Sequence, residues 1–126
     1  MGHHVEFLHH VASYGAQQDA LRVHLVVHPH VEEKAPSLVA LGNDHPESVV
    51  LHPLTEQELA ATEQTDTVFQ RAIAGWEAVE TRARRVNASH CIFMEVNAYQ
   101  PVLGLPRARR APFHTSGILF FPYCRL

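Results

Sequence analysis

Histidine is the residue type with the most chemical potential in this chain, with 11 copies among 126 residues. Three of them, His24, His28 and His30, have even numbers, so a β-strand over this segment places all three on one face. His28 and His30 also have the His-x-His spacing that suits metal sites on sheets. These three side chains are therefore the candidate metal ligands. The default expectation is no cofactor, and the alternative is a divalent transition metal such as Zn or Fe.

Two earlier residues, Glu6 and His10, are further candidate ligands. If residues 4–31 form a β-hairpin whose paired numbers sum to about 34, Glu6 faces His28 and His10 faces His24. A competing interpretation makes residues 3–12 a short helix, and a one-residue slip of the hairpin separates the same groups. In a histidine-rich chain, such clusters also arise from composition alone.

Glu95, His90 and His114 are the candidate catalytic groups for general acid–base chemistry, although no catalytic residue is assigned. Glu95 lies in an apolar strand, where burial raises the pKa of a carboxyl group. The two histidines approach it if their strands pair. The alternative is that Glu95 faces water or pairs with an arginine. His90 and Cys91 do not form a nucleophilic pair, because neighbours on a strand point to opposite faces.

Arginine outnumbers lysine nine to one, and six arginines form two clusters with the sequence Arg-Ala-Arg-Arg. The first cluster ends a predicted helix, where cations complement the helix dipole. The second lies in a proline-flanked connection, where guanidinium groups can hold phosphate or acidic groups. The candidate interaction residues are Arg82, Arg84, Arg85, Arg107, Arg109 and Arg110.

The net charge of -3 conceals an uneven distribution. Residues 1–63 carry two basic and nine acidic side chains, whereas residues 64–126 carry eight basic and four acidic ones. This division favours an acidic and a basic surface, which can steer association between copies. The alternative is that the two halves intermix in the fold.

The apolar patterning predicts an α+β fold in which an antiparallel sheet of four to five strands packs against one long helix, in the order β-β-(β)-α-β-β. All 126 residues are assigned to one domain. Its predicted parts are a hairpin over 4–31, a loop over 32–53, a helix over 55–86 and strands over 89–99 and 114–123. The helix is expected to break near Thr65 or Gly75, or to overhang the core.

The sequence has no apolar run of the ~20 residues that a membrane helix requires, and its first residues do not resemble a secretory signal. We therefore expect a cytoplasmic or particle-associated protein with no membrane partner. The leading hypothesis is a non-enzymatic assembly module that forms homo-oligomers or part of a larger, virus- or phage-like complex. The alternatives are a small metal-dependent enzyme and nucleic-acid binding through the second arginine cluster.

Overall fold

The computed structural model describes residues 2–64, 66–93 and 96–117. Its backbone contacts divide the chain into two compact units, Met1–Glu56 and Gln57–Leu126, here called unit 1 and unit 2. Each unit contains a sheet of two parallel strands. In both, a long helix precedes the first strand and two shorter helices connect it to the second. Among the described residues, none of the helices has the length and apolar character needed to cross a membrane.

Unit 1 begins with a helix whose core-facing residues are spaced by four. Leu8, Ala12 and Ala16 pack against the apolar cluster of this unit, and Ala12 is fully buried. That spacing puts one face of a helix on the core. Near its end, Gly15 lies so close to Val23 that a Cβ atom at this glycine would overlap the valine side chain. The elements are α1 (Gly2–Ala16), β1 (Val23–Val27), α2 (Val31–Lys34), α3 (Pro36–Asp44) and β2 (Val49–Pro53).

The predicted hairpin over 4–31 is wrong, because its first half is α1 and only Val23–Val27 forms a strand. Alternating and helical spacings of apolar residues overlap in so short a segment, and packing of α1 on the core decides between them. The competing interpretation, a short helix over 3–12, agrees with the structure. Because residues 4–31 do not form a hairpin, the register that placed Glu6 and His10 beside the candidate metal ligands is also wrong.

The predicted loop over 32–53 contains the connection that makes the sheet parallel. Pro36 occupies the first turn of α3, where its missing N–H costs no hydrogen bond. The chain returns along α3 to β2, and Val23 aligns with Val49 in a parallel register. The odd-numbered residues Leu25, Val27 and Val49 are buried in the core of the unit. Parallel strands need such a helical crossover, which a two-strand hairpin does not.

Unit 2 contains a helix at its start and then repeats the helix–strand–helix–helix–strand order. Its elements are α4 (Glu56–Glu63, beginning at the last residue of unit 1), α5 (Val68–Arg85), β3 (His90–Phe93), α6 (Val96–Leu103), α7 (Pro106–Arg109) and β4 (His114–Gly117). The predicted single helix over 55–86 is thus two helices. Thr67 caps α5 by accepting a hydrogen bond from the Gln70 backbone N–H at 3.1 Å, which starts a new helix there.

Trp76 is the centre of the core of unit 2. It is fully buried, stacks on Phe93 with ring centroids 5.3 Å apart and contacts Phe113 at 5.9 Å. Tyr99 packs against Phe93 at 4.7 Å, and its ring lies directly over Gly75 of α5. The absence of a side chain at Gly75 therefore lets α6 approach α5 closely.

The predicted strands over 89–99 and 114–123 are correct only at their beginnings. β3 ends at Phe93 and a helix, α6, begins at Val96, while residues 94–95 and 118–126 lie outside the described residues. His90 aligns with His114 in a parallel register because α6 and α7 cross between the strands. The α+β composition is confirmed, but the antiparallel sheet of four to five strands against one long helix is wrong.

Candidate functional site

Two histidines, His24 and His52, bridge the strands of unit 1. Side chains alternate along a strand, so even-numbered residues share the face opposite the buried Leu25. His24 aligns with Val50 and His52 aligns with Val26, which makes the histidines diagonal neighbours. Nδ1 of His24 and Nε2 of His52 are 2.8 Å apart, and the ring centroids are 5.0 Å apart. This distance is a hydrogen bond between two imidazoles, so one nitrogen carries the proton and the other accepts it.

The environment of His24 favours neutral imidazole. Partial burial lowers the pKa of His24 from its usual value of 6.5, and the positive charges of His52 and Arg22 lower it further. Arg22 is held in place by a hydrogen bond from its Nε to the backbone oxygen of Glu47 at 2.8 Å. At neutral pH His24 is therefore uncharged.

His28 and His30 make a separate cluster after the end of β1. Nδ1 of His28 accepts a hydrogen bond from the backbone N–H of His30 at 3.0 Å, and the two ring centroids are 5.4 Å apart. Nε2 of His30 is 3.0 Å from Oε1 of Glu56. The even-numbered spacing does not keep these side chains on the His24 face, because the strand ends at Val27, just before His28.

The predicted ligands are consequently not brought together as one set. His24 contacts His52, whereas His28 and His30 contact each other and Glu56. In the described part of the chain, no group of three or more histidine, cysteine, aspartate or glutamate side chains is placed to hold a metal ion.

His90 and His114 approach each other in unit 2 because their strands pair. They align directly across the parallel sheet, with ring centroids 6.3 Å apart. Nε2 of His90 is hydrogen-bonded to Oγ of Ser116 at 2.8 Å. Glu95, the third candidate catalytic group, lies outside the described residues. Burial raises the pKa of the neighbouring Cys91 thiol to about 11, which makes it a poor nucleophile at neutral pH.

Three of the candidate interaction arginines are bound within unit 2. Arg82 donates two hydrogen bonds to the carboxylate of Glu58, at 2.6 and 2.7 Å. Arg107 joins α7 to α5, since its Nη1 lies 2.9 Å from Glu77 and its Nη2 lies 3.1 Å from the buried Glu80.

Arg84 approaches the same Glu80 carboxylate at 3.5 Å. These contacts satisfy a carboxylate that would otherwise be costly to bury. They assign Arg82, Arg84 and Arg107 a structural role within the unit.

The other three candidate arginines, Arg85, Arg109 and Arg110, are exposed and have no ion pair among the described residues. Arg109 also lines an open depression of about 390 Å³. The remaining lining residues are Leu103, Ala108, Thr115, Ser116 and Gly117. A guanidinium group beside two hydroxyl-bearing residues suits an acidic group.

The uneven charge follows the boundary between the units. Residues 1–56 carry two basic and seven acidic side chains, and residues 57–126 carry eight basic and six acidic ones. In α2, Glu32 and Glu33 are exposed and have no ion pair among the residues that the structure describes. The excess of acidic charge therefore belongs to unit 1 and the excess of basic charge to unit 2.

Sequence analysis missed His52, Ser116 and Glu80 as partners of the candidate residues. His52 lies in a segment predicted as a loop, although the apolar run before it, from Val49 to Leu51, is the signal of a strand. Parallel pairing of that strand with β1 then places His52 on the same face as His24. Glu80 has a signal as well, because it lies on α5 with a basic residue, Arg84, four positions later.

Comparison of the chain with protein-family models, curated proteins and solved structures finds no match.

Proposed function

We propose that this protein is a non-enzymatic assembly module that associates head to tail, with the acidic surface of unit 1 of one copy against the basic surface of unit 2 of the next. The observation that carries the proposal is the set of charges left without ion pairs in the described residues. In unit 1 these charges are mostly acidic and include the adjacent Glu32 and Glu33, although Arg22 and Lys34 are basic. In unit 2 they include the adjacent basic residues Arg109 and Arg110.

The basic surface combines exposed charge with a shape that can receive a side chain. Arg109 and Arg110 lie at the end of α7, and Arg109 borders the open depression described above. A glutamate from another copy can enter this depression and accept hydrogen bonds from the guanidinium group. Thr115 and Ser116 also line the depression, and the Ser116 hydroxyl is hydrogen-bonded to His90. Charge-assisted hydrogen bonds of this kind are among the strong polar contacts of interfaces.

The acidic surface is the first turn of α2, a four-residue helix that follows β1. Both carboxylates project from one short element, so two charges of the same sign lie close together. Lys34 on the same helix offsets part of this charge, and cations from a partner can offset the rest, which favours a basic partner. Because the acidic and basic surfaces are different patches, a head-to-tail contact between them is heterologous and produces rings or filaments, whereas a reciprocal contact closes two copies into a dimer.

Two alternatives have less support. Nucleic-acid binding through the second cluster loses Arg107, whose guanidinium group is bound to Glu77 and Glu80. A metal-dependent enzyme using His24, His28 and His30 requires ligands that converge, and these three are divided between two clusters. A protein partner, either a second copy or another acidic subunit, fits the remaining arginines better.

The proposal is tested by measuring the native mass with light scattering after size-exclusion chromatography. We expect an oligomer at low ionic strength that dissociates as salt screens the charges. The variant R109E/R110E should be a monomer at low salt. The control R22E/R85E changes the net charge equally but lies outside α2 and α7, and it should retain the oligomer. A mass that is the same for all three proteins at every salt concentration contradicts the proposal.

A further inference from the structure

We propose that His24 and His52 form a two-nitrogen chelate for a divalent copper ion, with water or an external ligand completing the coordination. This site differs from the His24, His28 and His30 set expected from the sequence, because its second ligand comes from the neighbouring strand. It is independent of the assembly surfaces, which contain neither histidine.

The separation of the two nitrogens agrees with this geometry. Two imidazole nitrogens that bind one ion at 2.0–2.1 Å with an angle of 90° are about 2.9 Å apart, and at a tetrahedral angle they are about 3.4 Å apart. The structure places Nδ1 of His24 and Nε2 of His52 at 2.8 Å. The right-angled arrangement belongs to square-planar copper or nickel, and copper binds such ligands more tightly than nickel or zinc.

The backbone fixes the approach of the two rings. Both histidines lie within paired strands, at positions held by the parallel register that aligns His24 with Val50 and Val26 with His52. The rings are inclined by 42°, and both must turn away from the line that joins the nitrogens before their lone pairs point at one ion. The strands already hold both backbone positions, so the ordering on binding is confined to the two side chains.

The proton between the rings need not leave the pair. In the hydrogen bond, one of the two facing nitrogens carries the hydrogen atom. With this hydrogen on Nδ1 of His24, copper binding moves it to Nε2 of the same ring, which is a change of tautomer. Both facing nitrogens then donate an electron pair to the ion, and the charge of the imidazoles does not change.

His90 and His114 provide a comparison within the same chain. They also bridge two parallel strands, but they lie directly opposite each other with centroids 6.3 Å apart. Nε2 of His90 is already hydrogen-bonded to Ser116. This second pair lacks the short contact between nitrogens, so we expect copper at His24 and His52 and not at His90 and His114.

The test is copper titration of untagged protein carrying H3A/H4A, which removes two histidines near the amino terminus. Calorimetry with a glycine competitor gives the affinity, and pulsed electron paramagnetic resonance gives the number of bound imidazoles. We expect one copper ion per chain with two bound imidazoles. H52Q keeps a hydrogen-bonding group near the position of Nε2 but should lower the affinity roughly 100-fold, because one arm of the chelate is lost.

Three control measurements make the result decisive. H28A/H30A and H90A/H114A should leave both the affinity and the two-imidazole signal unchanged. Circular dichroism of metal-free H52Q should match that of the parent, so that lost binding is not lost folding. If H52Q binds copper as tightly as the parent, or if H28A/H30A removes the signal, the proposal is overturned.

Discussion

Replacing Arg107 with alanine should destabilise unit 2 far more than replacing Arg110. Arg107 donates to Glu77 at 2.9 Å and to Glu80 at 3.1 and 3.3 Å. The side chain of Glu80 is 9% exposed, and in R107A its remaining partner is Arg84 at 3.5 Å. Removing the partner of a buried charge leaves that charge incompletely compensated.

The expected decrease in the free energy of unfolding follows from the solvent exposure of each contact of Arg107. A hydrogen bond to a charged group contributes about 1.5–3 kcal/mol. Because Arg107 is half-exposed, we place the contribution of its contact with Glu80 in the lower part of that range. The contact with the exposed Glu77 adds less than about 1 kcal/mol. We therefore expect R107A to lower the free energy of unfolding by about 2 kcal/mol. An exposed arginine without an ion pair, such as Arg110, should change it by less than about 0.5 kcal/mol.

The assay is urea denaturation followed by tryptophan fluorescence. Trp76 is the only tryptophan in the chain and lies at the centre of the core of unit 2, so its emission reports the unfolding of that unit. The experiment is done at high salt, where association does not contribute to stability. Equal stabilities of R107A and R110A would refute the structural role of Arg107, which would then again be a candidate residue of the interaction surface.

Three further predictions concern the cores and the histidine pair. His24, which faces His52 and Arg22, has a lowered pKa in the folded protein, so in metal-free buffer the unfolded state takes up the proton first as the pH falls. The protein should therefore lose stability below about pH 6.5. H24N should flatten this dependence of stability on pH between pH 7 and 5, and an unchanged slope would contradict the lowered pKa of His24. In C124S, Cys91, with its thiol pKa near 11, should react with a disulfide reagent at pH 8 far more slowly in the native protein than in urea. Equal rates in the two states would show that the thiol is not protected. G15A should lower the free energy of unfolding by about 1–3 kcal/mol, because its methyl group would overlap Val23. G104A, with nothing within 4 Å, should be nearly neutral, and equal effects of the two substitutions would argue against the close approach of Gly15 to Val23.

Local patterns predicted several elements of this fold correctly. The helix predicted over 55–86 covers α5, on which Ala72, Trp76 and Ala83 are buried. The strand beginning near His90 was also predicted, as was a break in the long helix. These features depend on side-chain spacing within one segment, which a sequence displays directly.

The pairing of the strands could not be predicted in the same way. Whether β1 meets a preceding strand or β2 depends on the packing of α1, through Leu8 and Ala12, against the core. The resulting parallel register brings His52 to His24, and the crossing of α6 and α7 brings His114 to His90. Tertiary packing therefore determines which histidines meet, and parity along one strand does not.

The central claim is that charges on the two units hold neighbouring copies together, and mixing two variants tests it most directly. R109E/R110E removes the basic surface, and E32R/E33R removes the acidic one, so each variant alone should have the mass of a monomer at low salt. In an equal mixture, the reversed surfaces complement each other, and light scattering should show the mass of the parent oligomer. A mixture that remains monomeric, or a single variant that still assembles, would contradict the account.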